Sequence, residues 1–64
     1  METLDEIKTY IADMVVYCDV ISDKNSSVKS KVAFTNLMGK VAKRIAKKCD
    51  ILEKEVERNA DTDR

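Results

Sequence analysis

The sequence predicts an all-α protein built as an antiparallel helical hairpin, and three observations point there. Proline is absent and Gly39 is the single glycine in 64 residues, whereas strands must be joined by residues that tolerate special backbone angles. Apolar residues recur at steps of three and four on both sides of one polar stretch, the period of an α-helix with one buried face. That stretch, "SDKNSS" from Ser22 to Ser27, is made of side chains that compete for backbone hydrogen bonds and so favour turns and caps.

The first helix is expected over about residues 3–21. Thr3 followed by Glu6 has the spacing of a capping box, in which the hydroxyl and the carboxylate each accept from the other residue's backbone N–H. Leu4, Ile7, Ile11, Met14, Cys18 and Ile21 then form one stripe. Ser26 or Ser27 can cap the second helix.

That second helix is expected over about 28–58. Phe34, Met38, Val41, Ala42, Ile45, Cys49, Leu52 and Val56 fall within an arc about 100° wide at 100° per residue. At 1.5 Å per residue it would run ~46 Å against ~27 Å for the first helix. Residues 59–64 carry nothing apolar beyond Ala60 and should fray.

A single domain over residues 1–64 is too short for its core to do much more than cancel the entropy of ordering the chain. Cys18 and Cys49 are the only cysteines and histidine is absent, so neither a disulfide framework nor a metal site is predicted. Self-association remains. Folding the helices about the loop sets Ile21 near Val28, Ile11 near Met38 and Leu4 near Ile45. Cys49, Leu52 and Val56 are then left without an intrachain partner, and a second subunit would cover them in a two-fold dimer forming a four-helix bundle. The competing arrangement breaks the second helix at Gly39 and turns Lys40 to Arg58 back as a third helix, bringing Cys49 level with Cys18.

Charge is segregated beneath a net total of zero. Over residues 1–23, Lys8 stands against Glu2, Asp5, Glu6, Asp13, Asp19 and Asp23, for a net −5. Residues 24–48 hold eight basic side chains and no acid, for +8, and residues 49–64 hold six acids against three bases, for −3. Lys40, Lys43, Arg44, Lys47 and Lys48 lie opposite or flanking the apolar arc. They form either a solvated face, a stripe that tracks phosphates, or a contact for an acidic protein or an anionic membrane surface. With one Arg and no Asn or Gln among them, such a stripe would position a nucleic acid rather than read it. Val16, Tyr17, Val20 and Val28 cluster toward the loop as apolar residues off the main stripe, and suit either a bundle core or a protein-partner patch.

Catalysis is disfavoured: there is no histidine base and no glycine-rich phosphate loop, and both cysteines sit on core stripes. No cofactor is expected. No apolar run approaches the ~18 to 20 residues of a membrane span, and "METLDE" lacks the regions of a signal peptide, so a cytoplasmic location is expected. These features predict a small non-enzymatic regulatory or adaptor protein acting through protein contacts as a helical dimer. The alternative is a nucleic-acid-binding regulator that uses the basic face of the second helix.

Overall fold

A computed structural model of the chain describes residues 1–62 as two α-helices, α1 (Glu2–Ser22) and α2 (Val28–Thr62), packed against each other as an antiparallel hairpin. The molecule is a rod of 55 × 14 × 13 Å, because α2 has 35 residues and α1 has 21. α2 passes through Gly39 unbroken, with no glycine at positive φ. The three-helix arrangement is therefore ruled out: no left-handed cap forms at Gly39 to turn the chain back. Cys18 and Cys49 are both free and exposed. α2 stays helical to Thr62, and Asp63 and Arg64, the end of the tail expected to fray, lie outside the described residues.

The loop conforms closely to its chemistry. Asp23 leaves α1 in an extended conformation, and its side chain accepts from the Asn25 N–H at 2.9 Å, an Asx-turn. The Ser26 N–H reaches the Asp23 carbonyl at 3.2 Å. Ser27 caps α2: its Oγ accepts from the Ser30 N–H at 3.1 Å, satisfying one of the amides that a helix start leaves without a partner.

The start of α1 differs from the expected capping box. Met1 stands at the N-cap with no side-chain bond. Thr3 instead donates its hydroxyl to Glu55 Oε1 at 2.9 Å, and Glu6 pairs with Lys48. Both side chains of the would-be box are drawn across the seam, where the partner is charged, and charge-assisted bonds are the stronger ones.

Between the helices lies one narrow seam. From α1 it takes Thr3, Glu6, Ile7, Tyr10, Met14 and Tyr17, ending at Val20 and Ile21. From α2 it takes Phe34, Met38, Val41, Ile45, Lys48 and Leu52, with Lys31 and Glu55 at its ends. Tyr17 and Phe34 close the loop end with ring centroids 5.5 Å apart and planes tilted by 50°, a favoured aromatic geometry. Only Ile7 and Val41 are buried among the described residues, at 7% and 4% exposure.

The register differs from the expected one. Thr3 meets Glu55 and Glu6 meets Lys48, whereas a fold about the loop centre set Leu4 beside Ile45. Helical side chains lean toward their own N-terminus, so in an antiparallel pair each residue covers a level short of its own Cα. The lean adds in the two helices and carries the seam on to Leu52 and Glu55.

Replacing Ser27 by Ala should remove the α2 cap and cost about 1 kcal/mol of unfolding free energy, measured by urea titration of the helical circular dichroism signal. Ser26→Ala, which removes no cap bond, should leave the midpoint in place.

Candidate interaction site

Each broad apolar arc read from the sequence resolves into two adjacent stripes. The seam positions on α1 are 3, 7, 10, 14, 17 and 21, and one residue further along lie Leu4, Lys8, Ile11, Val15, Cys18 and Ser22, all exposed or half-exposed. On α2 the same shift leads from the seam to Val32, Thr35, Gly39, Ala42, Ala46, Cys49, Glu53 and Val56, again all open to solvent, with Val28 extending the row. Both second stripes repeat at alternating threes and fours, the spacing of a helix-pairing face.

The two helices are antiparallel and face each other, so a shift of the same sense in sequence rotates both second stripes to the same side of the hairpin. They form one continuous face. Six of the ten large apolar side chains that are exposed stand on it: Leu4, Ile11, Val15, Val28, Val32 and Val56. The hydroxyls on this face are already satisfied within their own helices, Thr35 donating to the Lys31 carbonyl at 2.8 Å and Ser22 to the Cys18 carbonyl at 2.9 Å. A partner could cover them without leaving a donor unpaired.

Of the residues expected to be covered by a second subunit, Cys49 and Val56 belong to this face, while Leu52 is half-buried in the hairpin seam. The loop-end patch is not gathered. Tyr17 stacks on Phe34 and Val20 is half-buried in the seam. Val16 and Val28 are exposed, but their helical positions place them on opposite sides of the hairpin. Ile11 and Val15 are the residues that sequence reasoning missed. Ile11 reads as core and Val15 stands off the core stripe, although the repeat 4, 8, 11, 15, 18, 22 is visible in the chain.

The basic residues of α2 split as well. Lys48 is half-buried at the seam edge and paired with Glu6. Lys40, Lys43, Arg44 and Lys47 are exposed on the outer side of α2, and none makes an ion pair among the described residues. Among those residues no pocket opens and no three His, Cys, Asp or Glu side chains gather as metal ligands would. No helix is long and apolar enough to cross a membrane.

Compared with protein-family models, curated protein sequences and solved structures, the chain matches none of them.

The Glu6 pair makes a prediction of its own. The hydrogen bond to Glu6, then its charge, hold the Lys48 ammonium above the ordinary lysine value of 10.5. A raised lysine adds stability that is fully present below its unfolded value and lost as pH climbs through the folded one. The stability difference between the wild-type chain and Lys48→Met should therefore stay constant between about pH 7 and pH 9 and shrink above the lysine range, with the urea midpoint as readout. Salt should narrow it at any of these pH values, since the pair is exposed to solvent.

Proposed function

We infer that the chain is a non-enzymatic regulatory or adaptor protein whose working form is a homodimer of hairpins, closed into a four-helix bundle through the second stripe. The observation that carries this reading is the end-to-end apolar face left beside the seam. Monomeric soluble proteins rarely leave contiguous apolar surface of this extent in water, and such faces mark interaction sites. The surface area agrees in size. A compact monomer of this length would expose roughly 4,200 Å², whereas the hairpin exposes 5159 Å². The excess is of the order of the ~800 Å² that each partner of a standard interface buries.

A second reading concerns the outer face of the same helix. Lys40, Lys43, Arg44 and Lys47 stand in the same hairpin as the acidic α1, yet none makes an ion pair within the described residues. Free cations on one helix face favour an anionic partner, and a nucleic-acid backbone is the one whose affinity would respond most steeply to salt. This face would position such a partner without reading its sequence. It does not compete with the first reading, because the two faces lie on different sides of α2.

Sedimentation equilibrium at micromolar concentration should return twice the chain mass. Val15→Asp should return the monomer mass: Val15 is 57% exposed in the hairpin, so its loss leaves the seam intact while a charge enters the dimer face. A folded wild-type monomer across that range would reject the dimer.

For the second reading, a short fluorescent RNA or DNA hairpin should bind at 50 mM salt. With about 6 phosphate contacts its affinity should fall on the order of a thousandfold by 200 mM. Absence of binding at low salt, or binding unchanged by Lys43→Glu with Lys47→Glu, would leave those side chains as a solvated face.

A further inference from the structure

The α2 part of the second stripe is small at its centre and larger toward its ends. Gly39 and Ala46 flank Ala42, Thr35 and Cys49 come next, Val32 and Glu53 follow, and Val28 and Val56 stand toward the ends. Two such helices laid antiparallel and crossing at Ala42 place small residues together where the axes approach most closely and valine against valine at both ends. That is the self-complementarity a two-fold interface requires. Gly39 gains a reason there. Within its own chain nothing lies within 4 Å of where a Cβ would stand, its φ is not positive, and a glycine inside a helix costs about 1 kcal/mol against alanine. Close approach of another backbone is the remaining physical use of the missing side chain.

Charge marks the same crossing point. Pairing about Ala42 brings Lys31, half-buried at the edge of the seam, level with Glu53 of the second copy, and symmetry repeats the pair. Glu53 is the one acid in the α2 stripe, and Lys8 is the one charged residue in the α1 stripe. A two-fold axis perpendicular to the helices that pairs α2 with α2 also pairs α1 with α1 of the second copy.

We propose that the second copy docks in this one register, α2 on α2 and α1 on α1, about a two-fold axis through Ala42, held by reciprocal Lys31 to Glu53 pairs. The inference rests on the dimer reading above and adds its geometry. It also has a consequence for the outer face. Lys43 of each copy stands on the outer edge near the axis, while Lys40, Arg44 and Lys47, each one residue before a seam position, remain on the side of α2 turned away from the second copy and stay open to solvent in the dimer. In the rival two-fold arrangement, with α1 of one copy over α2 of the other, Glu53 would face the first turn of α1 with no lysine at its level, and the reciprocal Lys31 to Glu53 pairs would not form.

The test uses two single variants of the full chain. Glu53→Lys sets lysine against lysine and Lys31→Glu sets glutamate against glutamate, so each alone should weaken the dimer about tenfold or more. Mixed in equal amounts they form a heterodimer in which both pairs are again of opposite sign, and the mixture should recover wild-type affinity in sedimentation or fluorescence-transfer titrations. Damage to either hairpin alone cannot produce recovery on mixing. Gly39→Leu should weaken the dimer although leucine is the better helix former, whereas a purely intrachain role for Gly39 would leave it unchanged or stronger. A wild-type dimer whose variants show no recovery on mixing overturns the register and leaves the dimer reading standing. A wild-type chain that stays monomeric overturns both.

Discussion

A pair of helices can hide only the side chains that lie between their axes. In this chain that limit is met early: two helices bury only Ile7 and Val41 among the described residues, and every other apolar group there keeps a larger part of its surface in water. Burial supplies about 25 cal/mol for each Å² of apolar surface removed, and ordering a short chain costs a comparable total. The hairpin seam is therefore a marginal core. The stripe beside it is the place where more burial is available, and that stripe runs the length of both helices.

The features of the seam fit this division. Its loop end is closed by an aromatic pair, Tyr17 on Phe34. Its open end is closed by polar links, Thr3 to Glu55 and Glu6 to Lys48, which add direction rather than much energy because they remain near solvent. Such links fix which α2 residues stand opposite α1. They thereby fix which residues are left for the second stripe, and so connect register within one chain to the shape offered to a partner.

Some of this was legible in the sequence. The polar stretch from Ser22 to Ser27 marked the loop, and Ser27 took the cap expected of it because its side chain sits just before an apolar-periodic run. The continuity of α2 through Gly39 was the favoured reading, since no capping residue comes after the glycine. Other parts were hidden for physical reasons. An arc 100° wide holds both a seam and the stripe beside it, so periodicity alone merged Ile11 and Ala42 with the core. Thr3 and Glu6 carried a valid local pattern that longer-range partners, Glu55 and Lys48, overrode. The lean of helical side chains, invisible in a string of residues, moved Leu52 from an unpartnered ridge into the seam.

In the proposed dimer, the fold of each hairpin and its pairing with a second copy would draw on adjoining apolar stripes, so folding and association should be coupled. Thermal unfolding across a hundredfold range of protein concentration tests this most directly. Coupled unfolding of a dimer of this size raises Tm by roughly 10 °C over that range. A Tm that does not move with concentration, in a chain that still unfolds cooperatively, would mean that the hairpin is stable alone and would contradict the account.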